Sequence, residues 1–286
     1  HLGHQKIVGR LLAMARSVDG PAVVFTFDPH PVRLLRPEHA PPPLTWTERK
    51  AELLGELGVD ATVAYPTDEA LLSLSPAEFF DRIIQQQLAA RAMVEGPNFY
   101  FGRNRAGDVE LLARLARAAD IELEVVQPVS DAQGPVSSSR IRQAIATGDV
   151  AEAGRMLGGP YRLRGMVTHG AKRGLKLGFP TANLEAIDTL VPAEGVYAGR
   201  GFLQGRPHAA AIHVGTNPTF EPAHAAIKVE VHLIDAQAEL YGTPLEVEFL
   251  DRLRDNRAFA SVDELKQQLS QDIADARRIG GESPRN

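Results

Sequence analysis

Two histidines flank a glycine at the start of the chain. His1, Gly3 and His4 lead directly into a segment with helical spacing. At a helix N-terminus both imidazoles could donate to phosphate oxygens, while the glycine lets backbone approach a ligand and the helix dipole favours negative charge. In adenylyl transfer the nucleophile is the other substrate's phosphate, so the protein needs donors near the α-phosphate. The pattern suits nucleotidyl transfer; the alternative is a pair of surface histidines.

A second pattern for phosphate binding opens a later helical stretch. Its members are hydroxyl and guanidinium side chains, namely Ser137, Ser138, Ser139, Arg140 and Arg142. Hydroxyls and backbone amides at a helix N-terminus, together with guanidinium groups, suit a triphosphate. The alternative is that the serines only cap the helix and the arginines are solvated. We expect both patterns to follow the carboxyl ends of parallel strands, where α/β sheets bind ligands.

A glycine-rich stretch, HGAKRGLKLGFPTANL, covers residues 169–184. Its phosphate-facing candidates are glycines and cations, namely Gly170, Lys172, Arg173, Gly174 and Gly178. The glycines permit a close backbone wrap around phosphates, and the cations add positive charge. The alternative is a glycine-rich hairpin with solvated lysines.

The elements that must position these residues fall into two halves, as expected for 286 residues. Strand-like runs at residues 22–27, 61–65, 92–95 and 121–126 alternate with helical spacing around residues 7–15, 76–84 and 108–119. This alternation predicts a parallel sheet flanked by helices, with the apolar run 22–27 buried on both faces. Capping-box patterns at Thr45 with Glu48 and at Ser75 with Glu78 predict two helix starts.

After residue 160 the pattern changes to short strand-like runs separated by turn residues. The runs are residues 162–168, 196–203, 208–214, 227–234 and 245–250. They predict an antiparallel barrel. Ser261 and Glu264 cap a final helix, whose apolar stripe Leu265, Leu269 and Ile273 is expected to cover one barrel opening.

Composition narrows the possible classes of function. The chain contains no cysteine, which excludes thiolate catalysis and sulfur-ligated metals. Its net charge of −5 favours no nucleic-acid partner, so phosphate chemistry must rest on local loops, helix ends and metal ions. No apolar run approaches the roughly 20 residues that cross a bilayer, and no charged-then-apolar leader precedes the first helix. We therefore expect a cytoplasmic protein without membrane contact; the oligomeric state stays open.

Taken together, the motifs resemble those of the bifunctional riboflavin kinase/FAD synthetase family of bacteria. Residues 1–4 resemble HxGH of the nucleotidyltransferase superfamily and residues 137–142 its ISSTxIR signature, residues 27–31 and 96–108 resemble the family's FDPHP and GxDFxFGxxRxGD segments, and residues 169–184 resemble its riboflavin kinase signature. The resemblance implies an FMN adenylyltransferase domain of Rossmann-like α/β type at residues 1–159. It also implies a riboflavin kinase domain, a six-stranded antiparallel barrel with a terminal helix, at residues 160–286.

The resemblance also implies two Mg²⁺-dependent reactions that both consume ATP. Riboflavin becomes FMN with release of ADP, and FMN becomes FAD with release of pyrophosphate. Glu230, in a VExHLxD pattern, would accept the proton of the ribityl 5′-hydroxyl, and Thr181 and Asn183 would hold Mg²⁺. The alternative for Glu230 is a solvated carboxylate on a strand.

Flavin contacts are implied for aromatic, polar and charged residues on rigid segments, namely Phe27, Asp28, Pro29, His30, Asn98 and Arg254. For Arg254 the alternative is a surface salt bridge. Asn98 stands where the family usually has aspartate, so a charge is lost. The family also has a strand and loop leading into HxGH, so we expect the first domain to lack its first strand, which would weaken adenylyl transfer.

Three alternatives stay open at this point. The chain could be a monofunctional riboflavin kinase with an inactive N-terminal domain, or a flavin-binding regulator without turnover. The N-terminal half could also transfer nucleotides to another acceptor, such as a phosphopantetheine or nicotinamide mononucleotide.

Overall fold

The computed structural model describes residues 1–169, 178–216, 227–236 and 239–281. The chain forms two compact units. The first comprises residues 1–41 and 46–136, and the second comprises residues 42–45 and the chain from residue 137 onward. The segment 137–159 therefore packs with the second unit, and the domain boundary between residues 159 and 160 stays a prediction.

The first unit is built of helices and short parallel sheets. Its helices are α1 (Leu2–Ser17), α2 (Val32–Leu35), α3 (Thr47–Glu56), α4 (Glu69–Ser73), α5 (Pro76–Phe79) with a π-helical continuation (Phe80–Gln87), and α6 (Val109–Ala118). Its strands are β1 (Val23–Asp28), β2 (Ala61–Pro66), β3 (Ala92–Glu95), β4 (Glu122–Val125), β5 (Ser130–Asp131) and β6 (Gly134–Pro135). In the part of the chain that the structure describes, β1 pairs with β2 and β3 with β4, both in parallel, and β5 with β6 forms a short hairpin. The predicted α/β class is confirmed.

Strand β1 is less buried than its apolar sequence predicts. Its residues from Val23 to Phe27 are half-buried, whereas burial on both faces was expected. Among the described residues β1 pairs with β2 alone, so its other edge carries no neighbouring strand. Strand β1 nevertheless contributes Phe25 and Phe27 to the aromatic core of the unit, which they share with Phe79.

Helix starts follow their predicted caps in one case and depart in another. The capping box of Ser75 and Glu78 is present at the start of α5. The box expected from Thr45 and Glu48 is absent, because α3 begins at Thr47 with Trp46 as its cap residue. Trp46 is only 6% exposed, and burying an indole outweighs a capping interaction of about 1 kcal/mol.

In its described residues the second unit is a closed barrel with three helices. Its elements are α7 (Ser138–Ala146), α8 (Val150–Leu157), β7 (Tyr161–Thr168), β8 (Ala182–Glu185), β9 (Gly195–Leu203), β10 (Arg206–Gly215), β11 (Lys228–Leu233), β12 (Pro244–Arg254) and α9 (Val262–Gly281). The strands close in the order β10-β11-β8-β7-β12-β9, and every neighbouring pair is antiparallel. The predicted six-stranded barrel is confirmed. Five of its strands correspond to the strand-like runs of the sequence, and the sixth, β8, begins within the glycine-rich stretch.

Side chains of β7 and β11 alternate between the inside and the outside of the barrel, whereas bulges interrupt this alternation in β12. The interior is filled by fully buried apolar residues such as Leu163, Tyr197, Ile212, Val247 and Phe249. Their neighbours along each strand consequently face outward. The outer face of the barrel is therefore where polar chemistry can be placed.

Helix α9 packs along the outer face of β9 and β10, which corrects the expectation that it covers a barrel opening. The predicted cap is present, since the Glu264 N–H donates to the Ser261 hydroxyl at 3.1 Å. The strands offer small outward residues to the helix, and a Cβ on Gly280 would lie 2.7 Å from the Gly199 carbonyl oxygen. This close approach is possible only because small residues face each other. None of the helices that the structure describes has the length and apolarity needed to span a membrane.

Glu95, the last residue of β3, generates a prediction for stability. Alternation places it on the same face as Met93, which packs on the aromatic core, and burial raises the pKa of Glu95 from 4.5 to about 7 despite a hydrogen bond from the Gly96 N–H. Between these two values the folded state holds a proton that the unfolded state has released. Unfolding free energy should therefore fall as pH rises from about 4.5 to 7, by up to about 3 kcal/mol, and stay level above.

The Glu95→Gln variant should lose this decline and be more stable than the parent at pH 8. Denaturant unfolding at several pH values, followed by the fluorescence of Trp46, the chain's one tryptophan, reports on the first unit. Glu124→Gln, which removes the partner of Arg10 on the adjacent strand, is the matched control. Equal pH profiles for the parent and Glu95→Gln would contradict the prediction.

Candidate active sites

The histidine pair forms the N-terminus of α1. His1 is the cap residue, and its Nδ1 accepts the His4 backbone N–H at 3.2 Å. A neutral His1 ring must then carry its proton on Nε2, where it can donate to a ligand. The two rings stack with centroids 3.8 Å apart, and a Cβ at Gly3 would lie 3.0 Å from His1 Cε1. Glycine at this position thus leaves room for the ring that caps the helix.

His4 is held in its neutral form. Desolvation by the surrounding protein lowers its pKa to about 4 although part of the residue stays exposed, and the positive charge of Lys50 adds to the effect. At pH 7 the ring therefore supplies one N–H donor without a full charge. An arriving phosphate would favour the protonated ring, because opposite charges stabilise each other.

The loop after β1 is held by three local hydrogen bonds. The Thr47 hydroxyl donates to Asp28 Oδ2 at 2.9 Å, and the Thr67 hydroxyl donates to the Pro29 carbonyl at 2.6 Å. His30 Nδ1 accepts a backbone N–H two residues along the chain at 3.3 Å. The peptide bond between Asp28 and Pro29 is cis. These residues form a fixed loop at the carboxyl end of β1, while their flavin contacts stay predictions.

The aromatic candidates of the first unit belong mainly to its core. Phe27 packs 6.3 Å from Phe79, and Phe99 stacks on buried Phe101 at 5.6 Å between ring centroids. Asn98 is exposed in the loop after β3. Asn98 is thus exposed to solvent, whereas Phe27 and Phe99 pack on the core. A flavin contact by Phe27 or Asn98 stays a prediction.

The serine-rich pattern begins α7 in the second unit, as its sequence predicts. Ser137 caps the helix, and its hydroxyl accepts the Arg140 N–H at 3.3 Å. Ser138 and Ser139 occupy the first turn. Hydroxyls and backbone N–H groups therefore meet at one helix N-terminus.

The two arginines of this pattern both have protein partners. An Arg140 guanidinium nitrogen lies 3.7 Å from a Glu152 carboxylate oxygen, and Arg142 Nε donates to the Pro42 carbonyl at 2.9 Å. The reading in which they are merely solvated is therefore not supported. The histidine pair belongs to the first unit and this helix to the second.

Four polar residues form a row across the outer face of the barrel. Thr168 on β7 lies opposite Asn183 on β8, Asn183 lies opposite Glu230 on β11, and Glu230 lies opposite His213 on β10. Directly opposed side chains in antiparallel strands have Cβ atoms about 5 Å apart. The barrel register thus brings together residues that are far apart in sequence.

Thr181 adds a hydroxyl to this row. It precedes β8, and its Oγ1 donates to Glu230 Oε2 at 3.4 Å. Of the predicted kinase residues, Thr181, Asn183 and Glu230 are therefore brought together. Gly178 lies just upstream with φ +91°, a left-handed conformation that favours glycine. Gly170, Lys172, Arg173 and Gly174 lie outside the described residues.

The donor set fits a hard cation. Thr168 Oγ1 is buried and has no hydrogen-bond partner in the part of the chain that the structure describes. With Thr181, Asn183 and Glu230 it offers oxygen ligands, which Mg²⁺ prefers. Within the same described ranges no group of three His, Cys, Asp or Glu residues could hold a metal by itself. Such a site suits an ion that also takes water and phosphate oxygens as ligands.

Thr168 and His213 are the members of this row that the sequence left without a functional role. Burial lowers the pKa of His213, against the opposing effect of Glu230 and with a further lowering by Arg254. The neutral ring thus lies beside the candidate catalytic carboxylate. The signal that could have identified Thr168 and His213 is the strand register, which is known only once the paired residues are known.

Arg254 is engaged in a strong ion pair. Its Nε and Nη2 donate to the two carboxylate oxygens of Asp272 on α9 at 3.0 and 2.7 Å, and the Asp272 side chain is 5% exposed. Its guanidinium also lies 5.7 Å from the Phe259 ring centroid. The pair joins β12 to α9 and is partly buried, unlike an ordinary surface salt bridge; a flavin contact for Arg254 stays a prediction.

These constellations define a class of enzyme that transfers phosphoryl and nucleotidyl groups. Residues 1–140 match the FAD synthetase family, and residues 157–280 match the Flavokinase family of riboflavin kinases. The chain is 36% identical to a bifunctional riboflavin kinase/FMN adenylyltransferase of Pseudomonas fluorescens, over 99% of this chain and 90% of the relative. It is 32% identical to the protein of the same name from Escherichia coli (strain K12), over 98% and 90%.

The chain belongs to the family of bifunctional riboflavin kinase/FMN adenylyltransferases. A crystal structure from Streptococcus pneumoniae, described as a macrolide-efflux protein, shares 36% identity and a TM-score of 0.86, covering 97% of this chain and 90% of that one. The likeness to that structure extends over both units.

The ion pair of Arg254 leads to a stability prediction. In Arg254→Met the Asp272 carboxylate would stay buried without its ion-pair partner and keep only the Gln268 amide as a donor, so the second unit should lose about 3–5 kcal/mol. Arg257→Met is the matched control, because the Arg257–Glu264 pair is exposed and 3.8 Å apart and should contribute at most about 1 kcal/mol. Hydrogen exchange of the barrel amides under native conditions measures both losses. Equal effects of the two substitutions would contradict the prediction.

Proposed function

We propose that this chain makes FMN and FAD in two ATP-dependent reactions. Its membership in the bifunctional family supports both activities. Riboflavin is phosphorylated to FMN at the polar row of the barrel, and FMN is adenylylated to FAD by the unit that carries the histidine pair. The observation that carries the kinase assignment is the meeting of Thr181, Asn183 and Glu230 on one outer face of the barrel.

In the kinase reaction Glu230 is the general base. Its carboxylate takes the proton of the ribityl 5′-hydroxyl as that oxygen bonds to the γ-phosphorus of ATP. The bond from the γ-phosphorus to the bridging oxygen breaks, and ADP leaves with the electron pair. The Thr181 hydroxyl orients Oε2 before substrate arrives.

Mg²⁺ is the proposed cofactor of this site. The hydroxyls of Thr168 and Thr181 and the Asn183 amide oxygen are the residues that would hold it. When bound, it neutralises charge on the ATP phosphates as the bridging bond breaks. The glycine-rich stretch, from Gly170 to Gly178, is proposed to wrap the same phosphates.

In the adenylylation reaction the protein supplies donors and no nucleophile. A phosphate oxygen of FMN attacks the α-phosphorus of ATP, and pyrophosphate leaves. His1 Nε2–H and the neutral His4 ring donate to phosphate oxygens, since charge accumulates there in the transition state. The helix start at Ser137, with Arg140 and Arg142, is proposed to bind the triphosphate.

Other assignments rest on the sequence and stay predictions. They are the flavin contacts of Phe27, Asp28, Pro29, His30, Asn98 and Arg254. A cytoplasmic location, and a set of partners limited to riboflavin, FMN and ATP, are also predictions.

Separation of flavins after reaction with riboflavin, ATP and Mg²⁺ tests the two assignments together. The unsubstituted chain should form FMN and then FAD. Glu230→Gln should lower FMN formation by at least about 10²-fold, because the general base is lost, yet still convert added FMN to FAD. His4→Ala should lower FAD formation by about 10²-fold or more and leave FMN formation unchanged.

Each variant is the control for the other. FMN formation by Glu230→Gln at the parent's rate would contradict the kinase assignment. Accumulation of FMN without FAD by the unsubstituted chain would contradict the adenylyltransferase assignment and leave a monofunctional kinase.

A further inference from the structure

His232 lies on β11 two residues after Glu230 and faces the same outer side of the barrel. Its Nδ1 is 2.7 Å from the carbonyl oxygen of Pro180. A carbonyl oxygen only accepts hydrogen bonds, so Nδ1 must be the donor, and a neutral ring then carries no proton on Nε2. The ring of Phe179 meets the imidazole edge-on, with centroids 6.2 Å apart. His232 is thus held in one tautomer and one orientation.

This hydrogen bond occurs where the pairing of β8 with β11 ends. The last opposed residues are Ala182 and Val231, and the same register would next place Thr181 opposite His232. Pro180 has no N–H and cannot donate to a continuing ladder. The imidazole instead links β11 to the segment that precedes β8, as a side-chain substitute for a backbone hydrogen bond.

The carbonyl of Pro180 belongs to the planar peptide that leads into Thr181. Holding that oxygen fixes the plane and therefore the position of the Thr181 nitrogen and Cα. The Thr181 hydroxyl is the group that meets Glu230 Oε2 at 3.4 Å. A single strand, β11, thus carries both the candidate base and the side chain that holds its hydroxyl partner in place.

We propose that His232 is a positioning residue for phosphoryl transfer, whose Nδ1–H holds the Pro180 carbonyl and so keeps the Thr181 hydroxyl against Glu230. The proposal rests on the proposed kinase function of the barrel. His232 takes no proton from the substrate in this role, since its Nδ1 proton stays in the hydrogen bond to Pro180.

Two substitutions separate positioning from general packing. In asparagine the amide nitrogen is as many bonds from Cα as His Nδ1, so His232→Asn can still donate to Pro180. In glutamine the amide nitrogen corresponds to Nε2, so His232→Gln moves the donor away. His232→Gln should lower kcat for riboflavin phosphorylation about 10- to 100-fold, because small misplacements of reacting groups cost this much. His232→Asn should stay within about threefold of the parent, since the hydrogen bond survives.

Further readouts distinguish this role from a structural one. The Mg²⁺ concentration for half-maximal rate should rise in His232→Gln, since Thr181 is a proposed ligand, while KM for riboflavin stays unchanged. Conversion of added FMN to FAD should be unaffected in both variants and serves as the internal control. Equal impairment of the asparagine and glutamine variants, or a glutamine variant as active as the parent, would overturn the proposal.

The tautomer provides a test that does not depend on a folded glutamine variant. Nitrogen NMR of the unsubstituted full chain, with His232→Asn to assign the signal, should find the His232 proton on Nδ1; a proton on Nε2 alone would overturn the proposal. The outcome is separate from the kinase assignment. If Glu230→Gln is inactive and His232→Gln is unimpaired, the positioning role alone is overturned. If Glu230→Gln stays active, the kinase assignment itself is overturned.

Discussion

The antiparallel register of the barrel is the constraint on which the kinase site depends. Successive residues of a strand point to opposite faces, so a shift of one residue would turn every polar group of the row into the apolar interior. The fully buried side chains of Leu163, Ile212 and Val247 oppose such a shift, because each fills the closed interior. The core therefore fixes the position of Asn183 and Glu230 on the outer face.

The chain handles phosphate with little charge of its own. Net charge is −5, and desolvation by the surrounding protein lowers the pKa of His4 to about 4, so its ring is neutral at pH 7. The donors proposed to bind phosphate, around His1 and Ser137, lie at helix N-termini, where backbone N–H groups are oriented toward a ligand. The oxygen ligands proposed on the barrel would leave most of the charge neutralisation to a metal ion. In both units the proposed sites rely on the placement of weak donors and not on a basic surface.

Helix and strand positions were largely predictable, because alternation and capping are local properties. The strands at residues 92–95 and 196–203 and the capping box at Ser75 lie within a residue or two of their predicted places. The predictions failed where a non-local contact dominated. Trp46 was buried in place of a cap at Thr45, and α9 lay on the barrel wall because small residues on β9 and β10 admit it.

The sequence by itself determined the two classes of fold and the identity of the glycine-rich, histidine and glutamate motifs, since these depend on residue type and spacing along the chain. Only the tertiary structure decided which residues stand beside Glu230. Thr168, His213 and His232 gained a place there through strand pairing and one side-chain hydrogen bond. Likewise, only the tertiary structure shows that Arg254 forms an ion pair with Asp272, 18 residues away in sequence. Pairing partners are distant in sequence, and no local pattern encodes the register that joins them.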